Sequence, residues 1–224
     1  MATVEKVVLL WSGGKDSALA LHALRKTGEY AVAALLTTVT EGYDRVSMHG
    51  VRRALLERQA VAVGLPLTQV PIPKNCSKAE YASRMVRACE ELKETGLHTV
   101  ASGDIFLEDV RKYREEQLAQ AGMRGVFPLW GRDSAQLART FVATGFAAVT
   151  VCVDGQALGK EWVGRAYDGR FLANLPSGVD PCGENGEFHT FVSDGPTFTE
   201  RIAWVRGDVV LRDDRFYYCD LLPA

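Results

Sequence analysis

The chain has 224 residues, 47% of them hydrophobic and 24% charged, with a formal net charge of −2. That length admits one sizeable core, or one core with a smaller second lobe. The charge balance gives no electrostatic case for general nucleic-acid binding, and no apolar run approaches the roughly 18 residues of a membrane span.

The N-terminus leads directly into a hydrophobic run, so no signal peptide is expected and a cytoplasmic location is. Val7 to Leu10 reads as a buried strand, and Ala18, Leu19, Leu21 and Leu24 follow at helical spacing. Between them lies Ser12–Gly13–Gly14–Lys15–Asp16–Ser17. A glycine turn between a strand and a helix gathers backbone N–H groups at the positive end of the helix dipole, which is a place for phosphate. Ser12 and Ser17 offer hydroxyls, and Lys15 offers a point charge. Asp16 would repel a bare polyphosphate, so it points to Mg2+ carried by ATP. The spacing is neither GxxxxGK[ST] nor GxGxxG.

Ala31–Val39 reads as a second buried strand, followed by the polar stretch Glu41–Gly50, in which His49 is either a contact to a ligand or a helix-start cap. A helix over 51–64, a strand over 67–72 and a helix opened by Ser77 and Glu80 in a capping box come next. Residues 98–105 form a further strand that empties into Ser102–Gly103–Asp104. This βαβα alternation implies an open parallel sheet with helices on both faces, which brings Gly103 and Asp104 to the edge that holds residues 12–17. Asp104 would orient metal, ribose or substrate; its alternative role is a helix cap. The charged helix near 107–121 has a solvated face with Arg111 and Arg114 as candidates to turn inward. Residues 125–130 read as a loop or short extended piece, 133–145 as a helix capped by Asp133 or Ser134, and 147–153 as a strand. The expected division is a nucleotide-binding domain at 1–140 and a smaller α+β lobe at 141–224.

The second half has its own polar constellations. Lys160 and Arg165 lie in a glycine-rich stretch after a strand, either to neutralise a second anion or as part of a solvent-exposed loop. Residues 178–196 crowd Asp180, Glu184, Asn185, Glu187, His189 and Asp194 among glycines and prolines, which is poor core material. Glu187 and His189 are two apart and share a face on an extended piece, fit to gather an ammonium ion or accept its proton. Cys182 lies among acids that oppose a thiolate. Five cysteines without a CxxC pair disfavour a disulfide framework or a structural zinc. The tail reads as short antiparallel strands with turns at Arg206–Gly207 and Arg212–Arg215.

Residues 12–17 resemble the signature of the PP-loop ATP pyrophosphatases. Together with Ser102–Ile105, Pro128–Trp130, Leu158–Arg165 and Glu184–Phe191, the resemblance narrows to the diphthine–ammonia ligase family, of the adenine nucleotide alpha hydrolase type, and covers nearly the whole chain. His189 stands where many members carry glutamate, as in a branch common in bacteria, and no extra C-terminal domain of the larger eukaryotic members is expected. The resemblance implies ATP-dependent adenylation of a substrate carboxylate, release of pyrophosphate, and amidation by free ammonia. It assigns Lys15, Asp16, Glu187 and His189 to catalysis. Ser12, Gly13, Gly14, Lys15, Asp16, Ser17, Gly103 and Asp104 would hold ATP, and Asp16 and Asp104 would hold Mg2+. His49, Lys160, Arg165, Glu184, Asn185 and Glu187 would face the substrate, either a small molecule or a modified protein side chain. Neither a membrane nor general nucleic-acid binding is expected; a homodimer is the default for such a chain. The alternatives are another PP-loop adenylating enzyme acting on tRNA or a small metabolite, and a non-catalytic ATP or AMP sensor.

Overall fold

In the computed structural model, residues 4–224 are described. Strand β1 (Glu5–Leu10) runs through Gly14 into helix α1 (Lys15–Thr27), which Gly28 closes in the left-handed conformation with its N–H on Leu24 O. Then come β2 (Tyr30–Thr40), the two-residue β3 (Arg45–Val46), α2 (Arg53–Val63), β4 (Leu67–Ile72), α3 (Lys78–Glu94), β5 (Thr99–Ala101), α4 (Glu108–Gln120) and β6 (Arg124–Val126). Strands β4, β2, β1, β5 and β6 lie side by side and parallel, and β3 pairs antiparallel with the end of β2.

The alternation of β1 sorts the two faces. Val7 and Leu9 pack with α1 and α2, whereas Val8 packs with α3 and α4 through Cys89, Leu92 and Leu118. Buried on both faces, these strands carry continuous apolar runs rather than alternation, as covered parallel strands do. The expected caps are present: Ser77 Oγ accepts from Glu80 N (3.2 Å), and Asp133 Oδ1 accepts from Gln136 N (2.7 Å) at the start of α5 (Ser134–Ala143).

The second sheet is antiparallel, in the order β8 (Phe188–Asp194), β7 (Ala147–Asp154), β10 (Phe216–Pro223), β9 (Trp204–Arg212). A short helix, α6 (Gly169–Asn174), covers one side. Phe141, Phe146, Tyr167, Phe171 and Phe188 form a buried aromatic group that continues the α1–α2 core, so both sheets share one apolar interior.

One local expectation is corrected. There is no turn at Arg206–Gly207; β9 passes through it, and the mismatch is taken up by a register shift opposite Cys219–Leu221. The hairpin turns at Asp213 and Asp214, both with positive φ (52° and 48°). Of the two readings for residues 125–130, loop or short extended piece, the second holds at their start, where Arg124–Val126 form a short edge strand. Among the described residues, no helix is long and apolar enough to cross a membrane.

Candidate functional site

A cleft of about 570 Å3 opens at the C-terminal ends of the parallel strands. Its walls come from both halves: the turn after β1, the segment 46–49, residues 102–104, Arg114 of α4, and Glu184, Phe188, His189 and Thr190.

Gly13 has φ +77°, and a Cβ there would come within 2.5 Å of Gln59 Oε1, so only glycine fits. Gln59 is wholly buried on α2 and supports this turn. Its Nε2 donates to Gly13 O (3.0 Å) and Val192 O (2.5 Å), and its Oε1 accepts from Trp11 Nε1 (3.0 Å). Strand β8 holds the turn from the other side: Val192 N donates to Gly13 O (2.9 Å), and Thr190 Oγ1 accepts from Lys15 N (3.0 Å). Ser12 Oγ lies 3.4 Å from Ser17 Oγ and accepts from Gly14 N (3.3 Å). Gly103 packs so closely on the start of α1 that a Cβ would lie 2.9 Å from Asp16 O.

Lys15 Nζ is buried, 2.8 Å from Asp16 Oδ2 and 5.3 Å from the centre of the Phe188 ring. Burial alone would lower its pKa, but the Asp16 carboxylate outweighs that and keeps the ammonium charged. Burial raises the Asp16 carboxyl, against the pull of Lys15. Glu184 Oε1 accepts from Ile105 N (2.8 Å), which ties the second half's acidic loop to the residues after β5. Burial pushes the Glu184 carboxyl up to about 7; the Ile105 N–H opposes this and the Asp16 charge adds to it. His49 and His189 face each other with ring centres 4.6 Å apart, and His49 Nδ1 lies 3.3 Å from Thr190 O. Burial holds His49 down at about 4 and His189 well below the usual imidazole range, so both are neutral near pH 7.

The structure thus brings Ser12, Lys15, Asp16, Ser17, His49, Gly103, Asp104, Glu184 and His189 to one cleft, with Gly13 and Gly14 shaping its turn. Asp104 is closed by Arg114, whose Nε and Nη2 reach its two oxygens at 2.7 and 3.1 Å. Arg111 instead stacks over Phe127 and Trp130.

Lys160, Arg165, Asn185 and Glu187 do not line the cleft. Lys160 is exposed, and Arg165 stacks over Trp162 at 4.4 Å. Glu187 precedes β8, so strand alternation does not govern it. Its Oε1 accepts from Asp180 N (2.9 Å) and Asn185 Nδ2 (3.0 Å), and Asp180 Oδ2 in turn accepts from Cys182 N and Glu184 N. These bonds shape the loop that presents Glu184. Phe188, rather than Glu187, joins His189 at the cleft, where a register shift between Thr150 and Cys152 breaks the pairing of β7 with β8. Cys182 is buried, and burial pushes its thiol up to about 12, which opposes the thiolate form.

Gln59, Thr190 and Arg114 are the site residues that sequence reading passed over or left undecided. A glutamine on the apolar face of a predicted helix was the available signal for Gln59. Thr190 carried none, because its partner is 175 positions away.

Residues 5–125 match the family model for the diphthamide synthase N-terminal domain, and residues 133–219 match that for its C-terminal domain. The diphthine–ammonia ligase of Schizosaccharomyces pombe is 26% identical over 223 residues, covering 92% of this chain and 37% of that protein. Those of Danio rerio and Homo sapiens are 26% and 25% identical, covering 90% and 85% of their own lengths. The chain therefore spans little more than a third of the yeast relative and most of each vertebrate one. Matched by the N-terminal model over more than half of its length and by the C-terminal model over much of the rest, this chain belongs to the diphthamide synthase family.

Proposed function

We propose that the protein is an ATP-dependent ligase that adenylates a substrate carboxylate, releases pyrophosphate, and amidates the acyl group with ammonia. The observation that carries this reading is the juxtaposition of a phosphate-type turn bearing a buried Lys15–Asp16 pair with Glu184 at a pKa of about 7. One side suits a polyphosphate and the other suits proton removal from a nitrogen nucleophile. The names of the relatives, diphthine–ammonia ligases, agree with it. In this reading residues 1–140 form the nucleotide half and 141–224 the substrate half.

A carboxylate is a poor electrophile, and transfer to the α-phosphorus of ATP gives it a good leaving group, AMP. The positive end of α1 and the hydroxyl of Ser12 hold the departing phosphates, while Ser17 Oγ donates to Gly14 O (2.9 Å) and keeps the turn in shape. Lys15 offsets their growing charge. Glu184 takes a proton from ammonium, the dominant species near neutral pH, and releases the nucleophile beside the acyl-adenylate. His49 and His189, both neutral, supply ring nitrogens to the same wall without adding positive charge.

Magnesium fits this site only as a partner of the nucleotide. Among the described residues no group of three His, Cys, Asp or Glu side chains converges as a metal cage. Mg2+ takes one or two carboxylates plus phosphate oxygens, and Asp16 is such a carboxylate. It would supply charge neutralisation on the phosphates. Asp104, occupied by Arg114, serves to aim that guanidinium at the cleft.

The test is the fate of ATP. Purified protein with Mg2+, ATP and ammonium, with and without fractionated cell extract, is expected to form AMP and pyrophosphate in the fraction that holds the acyl substrate, and Asp16→Ala is expected to abolish it. ADP with phosphate would overturn the reading. Tight ATP binding without turnover in any fraction would favour the sensor, and AMP release that depends on tRNA would favour a tRNA-modifying enzyme.

A further inference from the structure

A second concavity, of about 590 Å3, lies beside β6 at the open edge of the parallel sheet, between α1, α5 and the segment 125–132. Three observations give it a character distinct from the cleft. Its cations are Lys26, Arg111 and Arg132, against one carboxylate, Glu29, in a chain whose net charge is −2. Lys26 and Arg132 make no ion pair among the described residues, while Arg111 is shared with Glu115 (2.8 Å) and stacks 4.7 and 4.6 Å from the ring centres of Phe127 and Trp130. Phe127, Trp130 and Tyr30 are only partly buried, so the walls are aromatic and accessible.

The third observation is in the backbone. Arg124 N donates to His98 O (3.1 Å) and Val126 O accepts from Ser102 N (2.9 Å), so residues 124 and 126 spend their main-chain groups on the β5 side. By strand alternation the N–H and C=O of Gly125 point away from β5 to the groove that Gly125 lines. An edge strand with outward main-chain groups, aromatic walls and uncommitted cations is fitted to an extended peptide rather than to a compact small molecule. The sign of its charge selects an acidic one.

We propose that this groove docks an extended acidic peptide segment, pairing with the edge of β6 and held by Lys26 and Arg132. Backbone hydrogen bonds link the segment beside the groove to the segment beside the cleft. Gly131 N donates to Ile105 O (2.8 Å), while Ile105 N donates to Glu184. The groove runs along β6 from Lys26, Glu29 and Tyr30, beside the N-terminal ends of the parallel strands, to Trp130 and Arg132 past the C-terminal end of β6, so a segment seated on β6 has one end on the side of the sheet that holds the cleft. That this segment belongs to a carboxylate-bearing acceptor protein rests on the proposed ligase reading; the docking itself does not.

The test uses a fluorescein-labelled glutamate-rich peptide, followed by fluorescence anisotropy with the intact protein. A lysine-rich peptide of equal length and a single-stranded oligonucleotide serve as competitors. Saturable binding of the acidic peptide is expected. Lys26→Glu with Arg132→Glu should weaken it by at least about tenfold, while Arg87→Glu, a charge reversal on the exposed face of α3, should leave it unchanged. Lys26→Gln with Arg132→Gln should give an intermediate loss, so the result does not depend on tolerance of the reversed charges. No saturable binding, equal binding by the double reversal, or displacement by the oligonucleotide in preference to the acidic peptide would overturn the proposal. Peptide binding in a protein that never forms AMP would leave the groove standing and remove the ligase reading.

Discussion

At the scale of single residues, the cleft separates its ionisable groups by environment rather than by type. Glu184 and Asp16 are both carboxylates in one cleft. Burial raises both: Asp16 has a buried ammonium in direct contact at 2.8 Å to oppose it, whereas Glu184, brought up to about 7, is opposed by the Ile105 N–H and only more distantly by the Lys15 charge. If Glu184 is the proton acceptor, the competent form is the carboxylate, and kcat/KM for AMP formation rises as pH climbs through about 7. The two histidines contribute no limb in that region, since His49 titrates at about 4 and His189 also lies far below its ordinary value. Glu184→Gln is expected to flatten the limb and lower the rate by about 10²–10⁴, the usual span for a general base. A limb that survives in the variant would reassign the base. Lys15→Met is expected to lower the rate by about 10²–10³ through lost charge stabilisation, checked by pyrophosphate release at saturating ATP.

At the scale of elements, the turn after β1 is held by parts of the chain that are remote in sequence. Gln59 on α2 and Thr190 on β8 fix opposite sides of it, so α2, α1 and the second sheet meet at the phosphate site. Gln59→Leu keeps volume but leaves Trp11 Nε1 without its acceptor and takes the Gln59 donor from Val192 O and from Gly13 O, the latter keeping Val192 N. It is expected to cost about 1–3 kcal/mol, the range for buried polar groups left unpaired, and to weaken ATP binding beyond that global loss. Denaturant midpoints together with ATP titration measure the two effects. An unchanged ATP affinity in the folded variant would show that the turn holds its shape without Gln59. These links also explain what could be read from the sequence. Val7–Leu10, the Gly13–Gly14 turn and the helix after it are encoded within a dozen neighbours, and their form follows from local periodicity and caps. The place of Glu184 in the cleft was legible as a polar, glycine-rich loop. The inward turn of Glu187 was not, because it depends on Asp180 N and Asn185 folding back onto it. Thr190 was hidden for the same reason: an ordinary threonine becomes a helix-capping acceptor only when β8 arrives beside Lys15.

At the scale of the whole molecule, the ends of the chain are fastened across the site. Asp220 on β10 accepts from Arg52 Nη2 (2.6 Å) and Nε (3.1 Å) and from Arg45 Nη1 (2.8 Å), and Arg45 also donates to Gly50 O (2.7 Å). The stretch that carries His49 into the cleft is therefore pinned on its far side by a residue more than 160 positions away. Burial alone would raise the Asp220 carboxyl, but the two guanidinium groups outweigh it and bring it to about 2. A carboxyl depressed in the folded chain stabilises that chain above its unfolded value of about 3.9, and the contribution disappears as pH falls through the folded value. The window is thus from about pH 4 down to about pH 2, and the difference of nearly two units corresponds to about 2.6 kcal/mol. Asp220→Asn should lose that stability at neutral pH, and the gap between variant and parent should close as pH falls through the window. Because the same contact sets the back of the His49 wall, the variant should also bind ATP more weakly at pH 7 while remaining folded. Unfolding midpoints across the pH range, with ATP titration at pH 7, test both parts. Parallel stability curves would remove Asp220 from the pH dependence, and unchanged ATP affinity would leave it a tie between the two sheets with no bearing on the cleft.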